Sequence, residues 1–188
     1  MSEFHAKKLV FVKIPNSKNQ GIQQDKFSGP YYVRMLQDLS KITGNQKVIL
    51  VKPIDVDLWG STSLICNIIG RNIQFLSIRE LTQKYMKRDY CYRKAANKIF
   101  EYLTDDSCDV LIMFCHEEFS SELPYFFALD ILDKPLRSFP VQDYGYHIID
   151  LEELTITMVD NMATDSYNND DKTTGDEINY GGEKIGQH

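Results

Sequence analysis

Three short runs of the chain, Leu9–Val12, Val48–Val51 and Val110–Cys115, are apolar at every position. A strand with one wet face alternates polar and apolar residues, so a run without alternation needs cover on both faces. A parallel sheet sandwiched between helices supplies that cover. Ile73–Leu76 is a weaker fourth run. Between the runs the pattern changes to that of helices. Tyr92, Ala95, Ala96, Ile99, Phe100 and Leu103 fall at i, i+3, i+4, i+7, i+8 and i+11, one continuous buried stripe.

Gly29-Pro30 opens another helix, with Tyr32, Met35, Leu36 and Leu39 on one face and Gly44 near its end. A third helix is expected from Leu58 to Ile69, stopping at Gly70. A fourth is expected to start near Ser120 or Ser121, with Pro124 in its first turn and Phe126, Leu129 and Leu132 turned inward. The period then becomes 2: Leu154, Ile156 and Met158 alternate with Thr155, Thr157 and Val159, and Tyr146–Leu151 is the expected antiparallel partner. The pattern predicts a three-layer α/β/α fold whose mostly parallel sheet carries an antiparallel edge strand.

The chain has 188 residues, 43% of them hydrophobic, enough to bury one substantial core. A single domain is expected over residues 1–159. Residues 160–188 form an acidic tail with few large apolar side chains, too few to offset the entropy of ordering it. A net charge of -6 argues against a broad phosphate-binding face, so direct nucleic-acid binding is not expected. Cys66, Cys91, Cys108 and Cys115 form no CxxC pair and read as reduced thiols. No basic-then-apolar leader and no run of about 20 apolar residues is present. The expectation is a cytoplasmic or nuclear protein that does not engage a membrane.

In an open parallel sheet, the loops leaving the carboxyl ends of the strands share one crevice. That rule gathers Lys13 and Asn16, Lys52 and Asp55, Arg79 and Glu80, and His116, Glu117 and Glu118. The cations suit a phosphate and the imidazole suits proton transfer. Each also has a blander role: Lys13, Lys52 and Arg79 as solvated loop charges, His116 as a hydrogen-bonded structural residue, and Glu117-Glu118 as acids favoured at a helix N-terminus. His5 and His147 lie elsewhere in the pattern, and Trp59 reads as core. GxxxxGK[ST], GxGxxG, HExxH and paired metal-ligand clusters are all missing, so neither a cofactor nor a metal is expected.

The order of these pieces, with "LVFVKIPNSKN" at the first strand and "VLIMFCHEEF" at the fourth, resembles the phosphoglycerate-mutase-like branch of the histidine phosphatase superfamily. The resemblance covers roughly Leu9 to Val159. It implies a phosphorylated nucleophilic histidine, flanked by arginine, at the end of the first strand, where this chain reads Lys13-Ile14-Pro15. It implies a second arginine after the second strand, where Lys52 is the cation between Lys52 and Ser63. It loosely matches Glu80 to a carboxylate proton donor, and it matches His116 to the family's second histidine, with Glu117 where glycine is usual.

An isoleucine cannot supply the covalent pathway that a nucleophile provides, and lysine loses the bidentate grip of arginine on phosphate. The resemblance therefore implies an inactive phosphatase-like domain acting as a protein-interaction subunit or scaffold, for which His116 and Glu80 are the vestigial catalytic candidates and Lys13, Lys52 and Arg79 the phosphate-binding ones. A phosphatase-like domain within a fungal RNA polymerase III initiation factor assembly is a precedent in kind, so a transcription-factor complex is one setting expected for the partner. Two alternatives stand beside this reading: a divergent phosphatase or phosphotransfer enzyme using His116, and an unrelated flavodoxin-like ligand-binding domain.

Overall fold

The computed structural model describes residues 4–15, 27–82, 89–105, 108–134 and 140–160, and in it each all-apolar run is a strand. In chain order the elements are β1 (Lys8–Lys13), α1 (Pro30–Thr43), β2 (Val48–Pro53), α2 (Thr62–Ile69), β3 (Ile73–Ile78), α3 (Asp89–Thr104), β4 (Val110–Cys115), α4 (Glu117–Asp130), β5 (Tyr146–Asp150) and β6 (Thr155–Val159). A single 3₁₀ turn precedes α2 and another, Arg79–Leu81, follows β3. The strands form one sheet in the order β3-β2-β4-β1-β5-β6. The first four strands are mutually parallel, and β5 and β6 complete the sheet antiparallel.

Insertion of β4 between β1 and β2 excludes the flavodoxin-like order 2-1-3-4-5, in which the first two strands are neighbours. Right-handed crossovers in this order put α1 and α2 on one face and α3 on the other, where α4 joins it. Strand alternation then divides the core. Leu9, Phe11, Ile49, Val51, Leu111 and Met113 face α3 and α4. Val10, Val12, Leu50, Val110, Ile112 and Phe114 face α1 and α2. Both sides of β1 and β4 are thus apolar cover, the condition their sequence demanded.

α1 begins with Pro30 at its first position and ends at Gly44, whose φ of 53° is the left-handed stop. α4 differs from expectation. It begins at Glu117, so Pro124 lies inside the helix, and Leu129 faces solvent at 38% exposure. An interior proline costs about 3 kcal/mol. Phe119, Leu123 and Phe127, at i, i+4 and i+8, are each fully buried, and each such burial contributes about 1.5–3 kcal/mol. That stripe, with Glu117 and Glu118 in the first turn, outweighs the proline.

The last hairpin also differs in detail. Leu154 sits in its turn with φ of 54°, and Met158 is exposed, while Ile156 and Val159 pack against the core. The cause is the turn itself: Asp150 Oδ1 accepts from the backbone N–H of Glu152 and Glu153 at 3.0 Å each, which ends β5 before Leu151. Among the described residues no helix is long and apolar enough to cross a membrane. The expectations for Asn16, for the tail beyond Asp160 and for the side chains of Trp59 and Cys91 fall outside the described residues.

Candidate functional site

β1 and β4 are neighbours whose chains leave toward opposite faces of the sheet, the first to α1 and the second to α4. The crevice between their carboxyl ends is where an open α/β sheet places ligands. The parallel register pairs Lys13 with Cys115, and the Ile14 N–H donates to the Cys115 carbonyl at 2.9 Å. One residue further along that register, Ile14 comes level with His116.

His116 is the N-cap residue of α4 and is only 6% exposed. Its Nε2 lies 3.2 Å from Asp55 Oδ1, and since a carboxylate only accepts, Nε2 carries the hydrogen. Nδ1 is buried with no hydrogen-bond partner among the described residues. Asp55 reaches the imidazole from the loop after β2. Lys52 staples that loop by donating Nζ to the Val56 carbonyl, and the Val56 N–H donates to the Pro53 carbonyl.

Lys13 has other partners. Its Nζ lies 3.1 Å from Glu117 Oε1 and 3.6 Å from Asp143 Oδ1. Asp143 is brought there by the chain entering β5: the Lys13 N–H donates to the Gly145 carbonyl, and the Tyr144 N–H donates to the Lys13 carbonyl. A side chain on Gly145 would meet Val141 Cβ at 2.8 Å and the Gln142 carbonyl at 2.9 Å, so this close approach requires glycine.

Lys13 is therefore answered by two carboxylates, and Glu118 stands beside Glu117 on the same rim. At about 4 Å a further negative charge meets each carboxylate at a cost of about 1 kcal/mol in water and about 4 at a protein surface. Cys115, the residue before His116, is fully buried, and burial pushes its thiol well above the ordinary range, which removes it as a nucleophile. Ile14 is 1% exposed and belongs to the apolar cluster beneath α1 and α2.

The structure thus gathers His116 with Asp55, and Lys13 with Glu117 and Asp143. Glu80 and Arg79 stand in the 3₁₀ turn after a different strand. They follow β3, with β2 lying between β3 and β4, and strands about 4.8 Å apart put the two exits about 10 Å from one another. Glu80 is felt instead by Lys98 on α3, whose pKa is raised first by its hydrogen bond to Glu101 and in lesser part by Glu80. His147 lies inside β5 opposite Phe11, buried within the sheet rather than at its mouth. His5 is exposed, with its N–H on the Leu103 carbonyl at the opposite end of the strands. Asp143 is the site residue the sequence reading lacked. Its signal was Gly145, a small residue immediately before a strand.

No family model matches the chain, and no curated protein matches it. Solved structures do. YhfR of Bacillus stearothermophilus is 11% identical with a TM-score of 0.48, covering 83% of this chain and 97% of that one. A phosphoglycerate mutase from Plasmodium falciparum is 13% identical with a TM-score of 0.45, covering 81% and 87%. A phosphoserine phosphatase from Entamoeba histolytica, in complex with 3-phosphoglyceric acid, is 12% identical with a TM-score of 0.45, covering 80% and 94%. Each of these likenesses has a TM-score below 0.5. At these identities the likeness is one of fold alone, and no residue's role is carried across by it.

Proposed function

We propose that this is a catalytically inactive histidine-phosphatase-like domain that serves as a protein-interaction subunit, in the cytoplasm or nucleus. The observation that carries the reading is Ile14. The position level with His116, just past the end of the neighbouring strand, holds a buried aliphatic side chain that cannot accept a phosphoryl group. Two further features support it. Lys13 is held by Glu117 and Asp143, and the thiol of Cys115 is buried and protonated. A strand exit that holds an isoleucine and a cation answered by two carboxylates supplies no covalent pathway of its own and does not concentrate phosphate.

The test is phosphate release by the full chain from p-nitrophenyl phosphate and from phosphoserine, with His116→Ala as background. The expected result is that the two proteins do not differ. Release that depends on His116, together with a phospho-adduct in the mass spectrum, would overturn the proposal.

The contact of His116 with Asp55 favours a second reading, a divergent phosphatase or phosphotransfer enzyme that transfers protons without a covalent step. Under that reading Asp55→Asn lowers phosphate release as much as His116→Ala does.

A further inference from the structure

We propose that the outer face of α4, with the start of α3 beside it, docks a basic amphipathic segment of a partner protein. Glu118, Glu122, Tyr125 and Leu129 are spaced by four, three and four residues, which lines them along one side of α4. All four are exposed, and Tyr125 and Leu129, 38% each, are two of the four large exposed hydrophobics among the described residues. Beside the stripe lies a cleft of about 470 Å³ whose walls include Tyr92, Glu118, Ser121, Glu122 and Phe126. Tyr92 stacks on Phe126 with ring centres 5.0 Å apart, and Tyr125 meets Phe126 edge-on at 5.7 Å. These rings support one another, so little side-chain entropy is lost when a partner covers them.

The charge on this face needs an explanation that the fold does not supply. Glu117 and Glu118 suit the first turn of α4, but Glu122 lies beyond it, out of reach of the helix dipole. Glu118 and Glu122 are like charges at i, i+4, a spacing that destabilises a helix, and neither has an ion pair among the described residues. A cation placed between them and against the aromatic wall would gain from both. The polarity runs along the helix, acidic toward the mouth of the sheet and apolar toward Leu129, where the ion pair of Arg93 with Asp130 marks the far end. A segment with Lys or Arg at one end and apolar side chains at helical spacing at the other complements it. An anionic membrane surface or a nucleic acid would be repelled, and a second copy would set carboxylates against carboxylates.

The proposal rests on the scaffold reading for its purpose, but its test is separate from phosphate release. Two labelled synthetic helices are compared by fluorescence anisotropy on the full chain, one carrying Lys and Arg beside Leu residues at i, i+4 and i+7, the other with Glu in place of each cation. The basic helix is expected to bind saturably and about tenfold tighter than its acidic counterpart. E118K combined with E122K should reverse that order, and Tyr125→Ala with Leu129→Ala should weaken the basic helix about tenfold, with circular dichroism unchanged.

Equal affinity for the two helices, or an order that survives the charge swap, overturns the proposal. So does a dimer in sedimentation that Tyr125→Ala with Leu129→Ala dissolves, since a second copy is then the occupant. Binding that arises only when Lys84, Lys87 and Arg88 are changed to Glu also overturns it, because the chain's own basic stretch then covers the face. Phosphate release dependent on His116 would overturn the scaffold reading and leave these outcomes standing.

Discussion

β1 and β4 run side by side in register, and the residue that follows each sets what its end of the crevice can do. After β4 comes His116, a buried imidazole that keeps a carboxylate partner in Asp55 and an uncommitted Nδ1. After β1 comes Ile14, buried in the apolar cluster, with the preceding cation neutralised by Glu117 and Asp143. The backbone frame is the same on both sides, because strand pairing and the two cores below the mouth hold it. The chemistry is not. A fold of this kind accommodates an apolar residue at one strand end because its side chain there adds to the core that supports the strand.

The most severe way to break this contrast is at Ile14 itself. If its role is packing, Ile14→Ala should cost about 2–5 kcal/mol in urea unfolding, the range for a large aliphatic removed from a full core. Ile14→His should also destabilise, since an imidazole would enter an apolar cluster, and it should not by itself give phosphate release. A loss below about 1 kcal/mol for Ile14→Ala would mean that the β1 exit is open space and that the difference between the two strand ends is not one of packing.

The next effect reports on the same cluster from α1. Tyr32 is fully buried there, with its hydroxyl on Ser61 Oγ at 3.4 Å. Desolvation on burial is the main cause of the rise in its pKa from 10.0 to about 12, the hydrogen bond to Ser61 opposing it. The folded pKa lies above the unfolded one, so Tyr32's contribution is intact below pH 10 and is lost as pH rises from there to about 12, by roughly 3 kcal/mol. Tyr32→Phe should flatten the alkaline limb of a stability-against-pH curve in that window. An unchanged limb would show that the phenol meets solvent and that this side of the mouth is wetter than its burial implies.

Much of this architecture could be read from the residues. The unalternating runs gave the covered strands, and the i, i+3, i+4 stripe from Tyr92 to Leu103 gave α3, because burial on both faces or on one stripe leaves a periodic mark. The start of α4 did not, since proline is read locally as a first-turn residue while the burial of Phe119, Leu123 and Phe127 is a tertiary effect. The site was legible only in part. His116 and Lys13 follow strands and so declare their place at the rim. The pairings of His116 with Asp55 and of Lys13 with Asp143 depend on strand order and on the path into β5, which the order of elements along the chain does not state. Arg79 and Glu80 also follow a strand, but one separated from β4 by β2.

Gly145 tests how Asp143 is kept at the β1 exit. Its Cβ would approach Val141, Gln142 and the Val159 carbonyl at 2.8, 2.9 and 3.1 Å, so Gly145→Ala must push the segment before β5 away from β1. A cost of about 1–3 kcal/mol is expected from thermal unfolding, the range for overpacking a tight site. Gly29, with open space at its Cβ, is the control, and Gly29→Ala should cost less. Equal costs would remove the argument that close approach places Asp143.

The smallest effect separates a mouth that lacks a cation from one whose cation is answered. Replacing Glu117 by Gln and Asp143 by Asn together leaves Lys13 without its two carboxylates while keeping its position on β1. Together the two removed charges lower the repulsion of an incoming anion by about 1–2 kcal/mol, because solvent screens both partly exposed carboxylates. Phosphate or vanadate affinity, followed by titration calorimetry, should then rise about tenfold, equivalent to about 1.4 kcal/mol. His116→Ala in the same background should leave most of that gain, because the imidazole is paired with Asp55 while Lys13 has Glu117 and Asp143 as its partners. If the gain vanished with His116, the two strand exits would act as one anion site, and the division between them drawn from Ile14 would fail.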